Sequence, residues 1–172
     1  QAQQQELLFR PISALFKVRV MAVGVSYNHS LFATDDGLFA CGKASCFGAA
    51  HEYGTVVREP VRLRLPSRAP ASPAAGRPSS QEQHVQMVSC GQEHSLVLMD
   101  DGSVLAAGSN QYGQLGAPLS DPSDVLAQST GFLRVNNGAL SNRAVQQITC
   151  GYFHSLALTE AGVVVAFGRN DY

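Results

Sequence analysis

The hydrophobic and polar positions of this chain fall into a phrase that recurs. Three six-residue runs, HSLFAT (29–34), HSLVLM (94–99) and HSLALT (154–159), are mostly apolar and contain β-prone residues. Each runs into a turn cluster, Asp35-Asp36-Gly37, Asp100-Asp101-Gly102 or Glu160-Ala161-Gly162, and then into a second apolar run, LFACG, SVLAAG or VVVAFG. An apolar run, a turn whose glycine can take positive φ, and a second apolar run predict a β-hairpin. The strands do not alternate cleanly. His94, Leu96 and Leu98 share one face while Ser95, Val97 and Met99 share the other. Apolar groups on both faces predict sheets stacked against neighbouring sheets.

The repetition extends beyond the hairpins. Residues 88–112 align without gaps to residues 148–172, and 12 of the 25 positions are identical. Among them are the pairs Gly91/Gly151, His94/His154, Gly102/Gly162, Gly108/Gly168 and Asn110/Asn170. A more divergent copy spans 23–48 and keeps His29, Gly37 and Gly48, with Ser26 where the other copies have glycine. The histidines are spaced 65 and 60 residues apart, a period that reads as one supersecondary unit per repeat. One further element is complete once, Gly108-Ser109-Asn110-Gln111-Tyr112-Gly113-Gln114-Leu115-Gly116.

These residues carry a resemblance. The pattern Cys-Gly-x-x-His-Ser-Leu-x-Leu, a glycine turn, a strand ending in glycine and then Gly-x-Asn-x-x-Gly-Gln-Leu-Gly resembles the regulator of chromosome condensation repeat family. The resemblance implies an all-β fold, part of a β-propeller of four-stranded antiparallel blades, usually seven in the family, with about three in this chain. The organisation expected is an N-terminal extension (1–19), repeat one (20–65), a flexible Pro/Ser/Ala-rich insertion (66–83), repeat two (84–143) and a truncated repeat three (144–172). Within repeat two, GFLRV (131–135) is expected to form a short outer strand. The repeat-defining structural residues are His29, Gly37, Gly91, His94, Gly102, Gly108, Asn110, Gly113, Gly116, Gly151, His154, Gly162, Gly168 and Asn170. Three repeats do not close a ring, and the first methionine is Met21. The expectation is therefore a piece of a longer protein, with its open blade edges covered by further blades or by self-association.

Composition narrows the function. The 172 residues carry 12 Lys and Arg against 13 Asp and Glu, a net charge of −1, so no strong positive field points to nucleic acid or a membrane surface. Four cysteines match neither a disulfide scaffold nor a zinc framework, and no stretch approaches the roughly 18 apolar residues of a membrane span. An intracellular setting, cytoplasm or nucleus, is expected. The recurring histidines are read as structural, each bonding a backbone group of its own blade. Neighbouring residues on a strand face opposite ways, so His94 is not expected to activate Ser95, and the paired aspartates are read as turn residues. No phosphate-binding loop occurs, and no metal, cofactor or catalytic residue is expected. One charge bias remains: residues 58–77 hold five arginines against Glu59, a local +4, which makes Arg62, Arg64 and Arg68 candidate partner contacts. The reading is a non-enzymatic protein interaction scaffold. Its alternatives, drawn from the resemblance, are guanine-nucleotide exchange on a small Ras-like GTPase with chromatin association, and a substrate-recruiting part of a ubiquitin ligase.

Overall fold

The computed structural model describes residues 10–66, 84–117, 128–136, 138–140 and 143–171. Among the described residues, eleven strands form three antiparallel sheets. The first holds β1 (Val20–Val25), β2 (His29–Thr34), β3 (Gly37–Lys43) and β4 (Val56–Arg62) in that order. The second holds β5 (Val85–Cys90), β6 (His94–Met99), β7 (Val104–Gly108) and the two-residue β8 (Leu133–Arg134). The third has three strands, β9 (Val145–Cys150), β10 (His154–Thr159) and β11 (Val164–Gly168), ordered β11-β10-β9. Each sheet is a meander in which strands consecutive in sequence lie side by side, which is the blade of a propeller. The three hairpins fall where the apolar phrases place them, and β8 lies within 131–135. The 66–83 insertion falls, apart from Pro66, outside the described residues, as does Arg68.

The two-faced pattern of the hairpin strands explains the stacking. All six residues of β6 are buried, and they belong to two different cores. Val97 and Met99 pack with Leu31, Leu38, Phe47 and Phe132 between the first and second blades. Leu96 and Leu98 pack with Leu115, Ile148, Ala157 and Val165 between the second and third. Burial of each such aliphatic side chain contributes about 1.5–3 kcal/mol, so the middle strand of the middle blade ties all three sheets together. The third blade is covered on one side only. Ser155, Ala157 and Thr159 of β10 are buried against the second blade, while His154, Leu156 and Leu158 on the opposite face are half-buried.

Strand ends are set by glycine where a side chain has no room. Gly108, at the end of β7, has φ +109°, and a Cβ there would collide with the Glu93 carbonyl and lie 2.7 Å from the His94 Cα. Gly42, next to last in β3, and Gly168, at the end of β11, also have positive φ and lie opposite His29 and His154. The family-like Gly108–Gly116 loop is held by its own asparagine. Asn110 Oδ1 accepts from the Leu115 N–H at 2.9 Å, and its Nδ2 donates to the Ala117 carbonyl at 3.1 Å. This drives Leu115 into the core between blades. In the first blade the shorter Cys46-Phe47-Gly48 does the same work, with Phe47 as the buried plug and Gly48 at φ +70°.

Candidate functional site

Because His and Ser are adjacent on each hairpin strand, they face opposite neighbours. The histidine of one blade therefore meets the serine of the next. His29 Nε2 lies 2.8 Å from Ser95 Oγ, and His94 Nε2 lies 3.0 Å from Ser155 Oγ. Each serine hydroxyl donates back to a carbonyl associated with the histidine's blade, Ser95 to Cys46 O and Ser155 to Gln114 O, both at 2.8 Å. The expectation that each histidine bonds a backbone group of its own blade is thus corrected for His29 and His94, whose Nε2 partner is a serine side chain of the following blade. Both residue types recur visibly in the sequence, but their pairing across the junction is set by the stacking of one sheet on the next.

The protons in this chain can be assigned. A hydroxyl has one hydrogen, and a carbonyl can only accept, so Ser95 and Ser155 spend theirs on Cys46 and Gln114. The imidazoles then donate through Nε2 and are neutral, with Nδ1 as the bare acceptor. Burial lowers the pKa of His29 and of His94 from 6.5 to about 4, helped in each case by the histidine of the next blade. In the first blade Ser26 Oγ lies 3.0 Å from His29 Nδ1. The second blade has Gly91 at the corresponding place, where a Cβ would collide with the His94 ring, and His94 Nδ1 is buried without a partner. These Ser–His contacts have the separation of a nucleophile and its base, but the hydroxyl has no proton to give the ring, and His94, Ser95 and Ser155 are all 0% exposed.

Further polar ties cross the same junctions. Lys43 Nζ meets Glu93 Oε1 at 2.6 Å, Asn28 Nδ2 donates to the Gln92 carbonyl at 2.8 Å, and Cys150 N–H donates to Ser89 Oγ at 3.0 Å. The four cysteines are free. Burial pushes the Cys46 thiol up to about 11 and Cys150 to about 12, and also raises Cys41 and Cys90, which disfavours the thiolate at all four. His154 is half-buried, Asn170 is exposed, and Gly151 packs against the His154 ring as Gly91 does against His94. Gly37, Gly102 and Gly162 sit in the hairpin turns and Gly113 and Gly116 in the loop, all at positive φ. Among the described residues, no group of three His, Cys, Asp or Glu side chains could hold a metal ion, and no helix is long and apolar enough to cross a membrane.

The candidate contact arginines lie elsewhere, at the face bearing the hairpin turns. Arg62 and Arg64 are exposed and line an open cavity of about 630 Å³ with Glu52 and Tyr53. Arg62 Nη2 pairs with Asp36 Oδ1 at 3.3 Å, both well exposed, a contact of small energetic weight. Repeated and unrepeated polar groups alike thus join the blades, while Arg62 and Arg64 stay open on the loop face.

Stacked antiparallel meanders tied by a recurring His-Ser bond define a propeller built of one kind of repeat. Models of the regulator of chromosome condensation (RCC1) repeat match residues 85–114 and 145–172, and 101–158, and the chain belongs to this family. The human RCC1-like G exchanging factor-like protein is 39% identical over 118 residues, 69% of this chain and 22% of that protein. The human probable E3 ubiquitin-protein ligase HERC6 is 34% identical over 88 residues, 51% of this chain and 8% of that protein. The chain therefore spans under a quarter of the length of either relative. Among solved structures, human WBSCR16 superposes with a TM-score of 0.66 at 29% identity, over 87% of this chain and 36% of its own. Prp20p from Saccharomyces cerevisiae gives 0.65 at 22% identity, over 87% of this chain and 33% of its own.

Proposed function

We propose that this chain is a non-enzymatic interaction module, a sector of an RCC1-type propeller that holds loops in place for another protein to recognise. One observation carries the reading: the repeated polar groups are spent on joining blades, the His29–Ser95–Cys46 and His94–Ser155–Gln114 chains above all. What varies from blade to blade, and so what can specify a partner, is the loop face with Arg62 and Arg64. A soluble setting in cytoplasm or nucleus goes with this proposal.

A second reading is favoured by the name of the relative at 39% identity, an RCC1-like G exchanging factor-like protein. Under it the full propeller releases nucleotide from a small GTPase, which needs no acid, base or nucleophile, only a loop that displaces the nucleotide. Recruitment of substrates to a ubiquitin ligase is a form of the first reading, and the HERC6 likeness supports it.

Affinity capture with the full-length protein tests the leading reading. Wild type should retain a specific protein from its native extract, and Arg62→Glu combined with Arg64→Glu should lose it while melting at an unchanged temperature. Equal recovery by the variant would remove this face from recognition.

A further inference from the structure

The arginine that sequence bias singled out in the first blade has a counterpart in the second. Leu31 pairs with Ala40 and Leu96 with Ala106, which makes Phe39 and Leu105 equivalent. Arg62 is the cross-strand partner of Phe39, and Arg134 is that of Leu105. The two arginines thus occupy one position of the blade, beside the hairpin turn.

Their surroundings differ. In the first blade Asp36 of the turn pairs with Arg62. In the second blade the turn is one residue longer, and the added Ser103 engages the corresponding aspartate. Asp101 Oδ1 accepts from the Ser103 N–H at 3.0 Å and from its hydroxyl at 2.5 Å. Arg134 is left with Nε and Nη2 buried and without a hydrogen-bond partner. Those two nitrogens form the side-on fork that matches an oxyanion bidentately. An unsatisfied charged donor is costly, and the structure offers a place to relieve it. Arg134 lines a cavity of about 490 Å³, together with Arg143, Asn136, Asp101 and Val145, where the second hairpin turn meets the start of β9. Its size lies within the roughly 300–1,000 Å³ of ligand-holding clefts, and it carries two guanidinium groups against one carboxylate already held by Ser103.

We infer that this cleft between the second and third blades is an oxyanion site, in which Arg134 supplies the bidentate fork and Arg143 a second positive charge. The assignment requires Arg134 to turn its buried fork toward the cavity that the residue lines. The ligand chemistry is a carboxylate or a phosphate, carried on a side chain of a bound protein. The inference deepens the interaction-module reading, but its test requires no partner.

The measurement is a titration of the arginine Nε–H resonances of the full-length protein, with the Arg134 signal assigned by its loss in Arg134→Gln. The probes are inorganic phosphate, a short capped peptide bearing glutamate, and the same peptide bearing phosphoserine. A saturable shift of Arg134 is expected with at least one probe, and Arg143→Gln, a substitution at an exposed position, should weaken that binding about tenfold, the equivalent of one charge-assisted bond. Shifts with the glutamate peptide assign a carboxylate, and shifts confined to the phosphorylated peptide or phosphate assign a phosphoryl group. Absence of a saturable shift with all three probes, or equal affinity in Arg143→Gln, overturns the site. Those results leave partner capture through Arg62 and Arg64 standing, so the two readings fail separately.

Discussion

At the scale of single residues, Ser95 is the sharpest test of the blade junction. Ser95→Ala leaves the Nε2–H of His29 and the Cys46 carbonyl buried and unpaired, and should cost about 1–3 kcal/mol, read as a lower denaturation midpoint. Ser30→Ala, at the same place in the first blade but half-buried, should cost far less; equal losses would mean that the cross-blade bond carries no weight. The histidines give a pH signature. Their folded pKa values, about 4, lie below the unfolded 6.5, so between these limits the unfolded chain binds more protons. Stability is then full above pH 6.5 and falls as pH drops toward 4. Chemical denaturation between pH 7 and 5, above most carboxylate titration, should show this decline, and a flat profile would place the rings in contact with water. The recurrence of His and Ser was legible in the sequence, but their partnership was not. Strand alternation correctly separates His94 from Ser95, yet only the stacking of one sheet on the next shows that His94 faces Ser155. Arg134 escaped notice for a related reason: it stands alone in its segment, and its kinship with Arg62 is a matter of strand register.

At the scale of elements, hairpins could be read because each phrase combines β-forming runs with a glycine that the turn or strand end requires. Gly108→Ala should destabilise strongly, since the added methyl meets the Glu93 carbonyl and the backbone is at φ +109°. Gly131→Ala, where the same methyl meets nothing within 4 Å, should leave the melting temperature close to wild type. Thermal melts of the two variants decide the point, and similar behaviour would refute the packing at the end of β7. The two-residue β8 was only partly legible, because so short an outer strand has no period of its own and is defined by its pairing with Leu105 and Ala106. The decayed loop of the first blade was legible as a departure from the pattern but not as a substitute. Cys46 contributes only its carbonyl, a group that every residue has, and Phe47 replaces leucine as the plug by size alone.

At the scale of the whole molecule, the described residues form a sector with a covered middle and two uncovered flanks. Val23 and Val25 on β1 are 62% and 71% exposed, and Val164 on β11 is 62% exposed, although strands of this composition belong in an interior. On its own, the 172-residue chain should self-associate with rising concentration, as followed by light scattering, whereas a closed ring containing it should not. A monomeric isolated chain would mean that these flanks need no cover. The repeat architecture was legible because it is written three times, while the loop-face chemistry was not, because each loop occurs once and its geometry comes from neighbouring blades. Under the proposed function this propeller sector recognises rather than catalyses, with its repeated histidines and serines engaged in structure. The most direct test is nucleotide release from a panel of Ras-like GTPases in the presence of the full-length protein. Release at the intrinsic rate is expected for every member, and robust acceleration for one GTPase, abolished by loop-face substitutions, would overturn the interaction-module reading.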